Sequence, residues 1–166
     1  MDKILVSGCL MGRRIRYNGT AKEFEHPLLE RWRTEGRLVV VCPELQAGFS
    51  TPRPPAEIEK GLKGSDVIDA KARVFENTGA DVTTLYVAGA QIALELALEQ
   101  GCRFALLTDG SPSCGSTFIY DGSFSGRRHA AAGVTAALLQ KHGVEVFAER
   151  QIEQLAQRLE HQPSAP

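Results

Sequence analysis

The chain has 166 residues, 43% of them hydrophobic and 23% charged, with a formal net charge of −1. That size and mix suit one hydrophobic core in a single domain, residues 1–166, and exclude a disordered or fibrous chain. The near-neutral balance gives no broad basic surface for a nucleic-acid polymer or membrane, and no apolar run is long enough to span a bilayer.

The first residues lead straight into the apolar run Ile4-Leu5-Val6-Ser7-Gly8-Cys9 with no signal-peptide core, which points to the cytoplasm. Thiols stay reduced there, so the four cysteines suggest metal binding, catalysis or packing rather than disulfides. A strand is expected at residues 3–8, followed by a basic loop over residues 13–22. Pro27 suits the start of an amphipathic helix at residues 26–35, with Leu28, Leu29 and Trp32 on one face. Gly36 follows as its cap, and Leu38-Val39-Val40-Val41 then reads as a β-branched strand ending in Cys42-Pro43-Glu44.

Residues 46–65 hold Gly48, Pro52, Pro54, Pro55, Gly61 and Gly64, a loop long enough to serve as a lid or wall over a site. A short excursion of undecided form follows at residues 66–74. Asp81 is a good N-cap for the longest helix, residues 82–100, with Leu85, Gly89, Ile92 and Leu96 forming a stripe and Ala88, Ala93 and Ala97 allowing close packing. The run Phe104-Ala105-Leu106-Leu107 lacks polar alternation and reads as a buried strand over residues 103–108. It stops in the loop Asp109-Gly110-Ser111-Pro112-Ser113-Cys114-Gly115. A glycine-rich segment runs to residue 126. A helix at residues 133–140, a strand at residues 144–147 and an amphipathic helix at residues 150–160 complete the chain, and residues 161–166 are expected to fray. Strands alternating with helices imply an open, mostly parallel α/β sheet with helices on both faces.

Cys9, Cys42 and Cys114 each follow the carboxyl end of an expected strand. Parallel strands open at those ends onto one crevice, the usual ligand site of an open α/β sheet. Cys102 precedes its strand and belongs to the core at the opposite edge. Three converging thiolates suit a zinc ion with one open position, or an iron–sulfur cluster. The residues themselves do not choose between the two, since neither C-x-x-C nor H-E-x-x-H occurs. Glu44, two residues after Cys42, suits a general acid or base. Ser111 and Ser113 offer hydroxyls to a substrate or as nucleophiles, although serines beside Pro are also ordinary turn formers. Asp109 suits a turn cap. Arg13, Arg14, Arg16 and Arg53 suit an anion or polar edge, and Phe49, Tyr17 and Tyr120 a flat ring. Exposed basic loops and loop packing explain several of these equally well.

Ser7-Gly8-Cys9-Leu10, Arg16-Tyr17-Asn18-Gly19, Val41-Cys42-Pro43-Glu44, Thr51-Pro52-Arg53-Pro54-Pro55-Ala56-Glu57-Ile58, Asp81-Val82-Thr83, Ser111-Pro112-Ser113-Cys114-Gly115 and Tyr120-Asp121-Gly122 occur in this order. Together they resemble the thiouracil desulfidases, a bacterial family long known only as a domain of unknown function, over roughly residues 3–147. The resemblance implies an oxygen-sensitive [4Fe–4S] cluster on Cys9, Cys42 and Cys114 with the fourth iron open. It implies non-redox removal of sulfur from a small thiolated heterocycle such as thiouracil, giving uracil and hydrogen sulfide. Glu44 and Ser111 match the family's acid/base and hydroxyl positions, and Ser113, Arg53 and Phe49 are the expected substrate contacts. Thr108 departs from the pattern, since many relatives carry lysine there. Two other classes stay open: a non-catalytic cluster- or sulfide-binding protein, and a three-cysteine zinc hydrolase.

Overall fold

A computed structural model describes residues 1–11, 24–49 and 53–161. In chain order its elements are β1 (Lys3–Ser7), α1 (Pro27–Thr34), β2 (Leu38–Val41), α2 (Pro43–Gln46), β3 (Ala56–Ile58), α3 (Gly64–Ile68), β4 (Val74–Glu76), α4 (Thr83–Gln100), β5 (Cys102–Leu107), β6 (Ile119–Tyr120), β7 (Arg128–His129), α5 (Val134–Lys141), β8 (Glu145–Ala148) and α6 (Ile152–His161). Short 3-10 turns follow β1 at Gly8–Met11 and β8 at Glu149–Gln151. Four strands form one sheet in the order β2-β1-β5-β8, and every pairing in it is parallel.

Strand β1 lies inside the sheet, with Ile4, Leu5 and Val6 fully buried. Both faces are covered, which is why its sequence carries no polar alternation. The two-residue period sends Ile4, Val6, Phe104 and Leu106 to one face, against Leu29 and Trp32 of α1 and Ile152 and Leu155 of α6. Leu5, Ala105 and Leu107 face the other way, against Ala93 and Ala97 of α4 and Leu139 of α5. Fully burying one such side chain contributes about 1.5–3 kcal/mol, so the sheet and its two helical layers set the frame that the strand ends share. A third apolar cluster joins α4 and α5 to α3 and to the β3–β4 hairpin through Ile58, Val67, Val74, Tyr86 and Val134.

Several expectations are corrected. The first strand ends at Ser7, so Gly8 joins Cys9 in the 3-10 turn that follows. The loop expected at residues 46–65 contains β3, which pairs antiparallel with β4, and the undecided excursion holds α3. Residues 109–126 include β6, which pairs with β7. The buried face of α4 is Tyr86, Gly89, Ala90, Ala93 and Ala97, which keeps the expected Gly89, Ala93 and Ala97, while Ile92 and Leu96 are partly buried and Leu85 is exposed. Helix α4 is apolar around much of its circumference, so periodicity marks its buried face weakly. Small residues take that face because they let the helix approach its neighbours closely. The N-cap of α4 is Val82 rather than the expected Asp81, which lies one residue earlier and accepts the N–H of Thr83. The basic loop with Arg13, Arg14, Arg16 and Tyr17, and residues 162–166 of the expected tail, lie outside the described residues. Among the described residues no helix is long and apolar enough to cross a membrane.

Candidate functional site

The carboxyl ends of β1, β2 and β5 open onto a cavity of about 580 Å³ whose wall includes Cys9, Cys42, Glu44, Arg53, Ser111 and Cys114. Register explains the convergence. Ser7 stands opposite Val41 in the β1–β2 pairing, and Val6 stands opposite Leu106 in the β1–β5 pairing. The three strands therefore end nearly level, and the next residues of each chain segment meet above the same edge. Cys9 and Cys114 are buried and Cys42 is half-buried, each as a reduced cysteine. Cys102 begins β5 at the other end of the sheet, buried in the core. Burial pushes its thiol up to about 11, with Lys3 opposing the shift.

The loop after β5 is tied down at its base. The carboxylate of Asp109 accepts the N–H groups of Gly110, Ser116, Thr117 and Phe118, the Thr117 hydroxyl, and Arg150 at 2.8 Å. Burial acts to raise the Asp109 pKa, but these hydrogen bonds outweigh it and hold the carboxyl below its ordinary value. The turn also closes through Gly115, whose N–H donates to the Ser111 carbonyl at 3.0 Å. A Cβ on Gly115 would lie 2.5 Å from the Phe118 carbonyl oxygen, so the close approach itself requires glycine.

Within that loop the Ser111 oxygen accepts the N–H groups of Ser113 at 2.9 Å and Cys114 at 3.2 Å. Its own proton is left to donate to Glu44 Oε1, 3.2 Å away. Glu44 Oε2 accepts from Arg53 through Nη2 at 2.6 Å and Nε at 3.0 Å, and from the Tyr86 hydroxyl at 3.2 Å. The side chains of Arg53 and Glu44 are only 5% and 14% exposed, so this charge-assisted pair is held with little freedom. Helix α4 presses directly on the same corner. A Cβ on Gly89 would lie 2.5 Å from the Pro43 carbonyl oxygen.

The remaining expected contacts fall elsewhere. Ser113 is 1% exposed, and its hydroxyl pairs with Thr135 at 2.7 Å, off the cavity wall. Phe49 is also off the wall. It packs edge-on to Tyr86, with ring centroids 5.0 Å apart, and beneath the Arg53 guanidinium, so it backs the site from behind. Sequence reasoning missed Tyr86, which sits one helical position from the expected stripe, and the contact between Thr108 and Cys9. It also passed over Phe118 and Arg128, which join the cavity rim with Tyr120. The Arg128 guanidinium lies 4.2 Å over the Phe118 ring. No spacing in the sequence marks these contacts, because the β6–β7 hairpin that brings them together is two residues long on each side.

Ionising all three thiols here would crowd negative charge. Burial pushes Cys114 well up, and Glu44, Cys42 and Cys9 push it further. Cys42 is raised by burial too, with the nearby Leu45 N–H and Arg53 opposing and Glu44 and Cys9 reinforcing. Thiolates assembled this way call for a positive centre of soft character. Among the described residues no three His, Cys, Asp or Glu side chains come together closely enough for a single metal ion. Three converging thiols fit an iron–sulfur cluster by donor type.

Comparison with known proteins places the chain in a family. The 2-thiouracil desulfurase family matches residues 4–151. The Bacillus subtilis (strain 168) protein described as uncharacterized protein YbbK is 46% identical over 149 residues, which span 90% of this chain and 97% of YbbK. The solved structure of a protein described as [4Fe–4S]-dependent thiouracil desulfidase TudS is 45% identical, with a TM-score of 0.87, covering 96% of this chain and 99% of that one. On the extent of these matches, the chain belongs to the 2-thiouracil desulfurase family.

Proposed function

We propose that this protein is a [4Fe–4S]-dependent, non-redox desulfidase that replaces the sulfur of a small thiolated nucleobase, such as thiouracil, with oxygen from water. Cys9, Cys42 and Cys114 would hold three irons and leave the fourth open. The observation that carries the reading is the meeting of three strand-end thiols with the Glu44–Ser111 pair on one cavity wall. When bound, such a cluster would supply Lewis-acid chemistry that stabilises negative charge developing on sulfur.

The chain's own residues then have the protons to manage. Water and a thiocarbonyl give a carbonyl and hydrogen sulfide, so two protons leave the oxygen, two reach the sulfur, and no electrons are exchanged. Glu44 takes a proton from water and returns it to the departing sulfur, as a general base and then a general acid. Arg53 and Tyr86 fix one carboxylate oxygen and Ser111 the other. The two backbone N–H groups on the Ser111 oxygen favour an orienting role for that hydroxyl over nucleophilic attack. A cavity of about 580 Å³ is in the range of a small-molecule site, which agrees with a heterocycle rather than a nucleic-acid polymer.

The test is anaerobic purification and reconstitution, followed by incubation with 2- or 4-thiouracil without reductant. The reading expects brown protein with about four iron and four sulfide per chain, and release of uracil and sulfide in equal amounts. One colourless zinc per chain would establish the zinc hydrolase instead, and a loaded cluster that binds sulfide without turnover would establish the binding protein.

A further inference from the structure

Thr108 follows β5 directly and is held at two points. Its N–H donates to the hydroxyl of Ser7, the last residue of β1, at 3.0 Å. Its own hydroxyl lies 2.7 Å from the Cys9 sulfur. Ser7, Thr108 and Cys9 are all buried. With Cys9 as a thiol, either group can donate in this pair. A thiolate only accepts, so with Cys9 ionised the proton between them must come from Thr108.

We infer that Thr108 is a positioning residue for the cluster, its hydroxyl donating a hydrogen bond to the Cys9 thiolate that both fixes this ligand and tunes its donation to iron; this rests on the cluster reading proposed above. Three observations support a role beyond packing. A valine would fill the same volume, yet the site holds a hydroxyl in a buried place, where a polar group needs a partner. The β-branched side chain has few χ1 choices, and Ser7 pins the backbone that selects among them. The other ligands are also supported differently: the Cys114 sulfur contacts the Ser113 hydroxyl only at 3.9 Å, and Cys42 is influenced by the backbone N–H of Leu45. Hydrogen bonds to ligand sulfurs withdraw electron density and raise a cluster's reduction potential, and outer partners hold ligands in place.

The experiment compares reconstituted wild type, Thr108→Ser and Thr108→Val under anaerobic conditions. Iron release to a chelator and the EPR-monitored midpoint potential are read on each. Thr108→Val is expected to lose iron on the order of tenfold faster, the scale of one hydrogen bond to a charged group, and to show a more negative potential. Thr108→Ser keeps the hydroxyl and should track wild type in both. A folded Thr108→Val that loads no cluster while Thr108→Ser loads normally supports the inference in its strongest form. It is overturned if Thr108→Val matches wild type in both readouts, or if Thr108→Ser fails as Thr108→Val does, since size rather than the donor would then be responsible. A wild-type chain that takes up no iron overturns the cluster reading itself, a result distinct from either.

Discussion

Replacing Glu44 with Gln removes one charge and almost no volume, so its effect can be worked from the hydrogen bonds. The carboxylate accepts two from Arg53, one from Tyr86 and one from Ser111. A glutamine has one acceptor oxygen and one NH₂. If the oxygen faces Arg53 and Tyr86, the NH₂ faces Ser111, whose oxygen already accepts two backbone N–H groups. The opposite orientation sets the NH₂ against the Arg53 guanidinium, which is only 5% exposed. Either way one hydrogen bond to a charged group is lost and a buried cation loses its counter-charge, a net cost of about 2–3 kcal/mol given the partial exposure of Glu44. Urea unfolding of the iron-free protein measures that cost. The cysteines are untouched, so iron and sulfide content should stay near wild type. Thiouracil turnover, measured anaerobically and normalised to cluster content, should fall by about 10²–10⁴-fold, the usual contribution of a positioned acid or base. Near-normal turnover per cluster would remove Glu44 from proton transfer and move that role towards Ser111. Loss of the cluster would make Glu44 part of the ligand framework instead.

Single replacements of Cys9, Cys42 and Cys114 with Ser should each abolish loading of the four-iron cluster, while Cys102→Ser should load normally and lose about 1 kcal/mol of stability for a hydroxyl in a buried place; iron analysis and urea melts on the four variants decide this. Asp109→Asn should destabilise the loop that carries Ser111 and Cys114 and also flatten the acid limb of stability. The Asp109 pKa is lowered on folding, so its contribution is complete above the ordinary value of 3.8 and is lost as pH falls through the folded value. Thermal melts of both proteins from neutral pH downward should therefore converge in acid, and parallel curves would refute the assignment.

The sheet was legible because its strands are short apolar runs ended by strong punctuation. Cys42-Pro43 and Asp109-Gly110 each stop a β-branched or Leu-rich run, and turn chemistry of that kind acts locally. The three cysteines follow from the same logic, since parallel strands share one open edge. The orientation of α4 was not legible, because leucines and alanines surround the helix and only the approach of its neighbours selects Tyr86 and Ala90 over Leu85. The β3–β4 and β6–β7 hairpins escaped notice because strands of two or three residues show no alternation. Ser113 illustrates a further limit. It adjoins a cavity cysteine, yet the backbone of its turn sends the hydroxyl to Thr135, and neighbouring residues in a tight loop need not face the same way.

The central pair of strands, β1 and β5, joins residues about a hundred positions apart, as in the pairing of Ile4 with Phe104. A ribosome making this chain exposes Cys9 and Cys42 while the strand that completes their neighbourhood has yet to be synthesised. Until residue 107 emerges, β1 lacks a partner along one edge, and the third thiol arrives seven residues later still. Closing so long a loop must precede the contacts that reward it, which slows folding. A cluster that binds only the completed edge would then act as a latch on that closure, stabilising the finished sheet in proportion to its affinity.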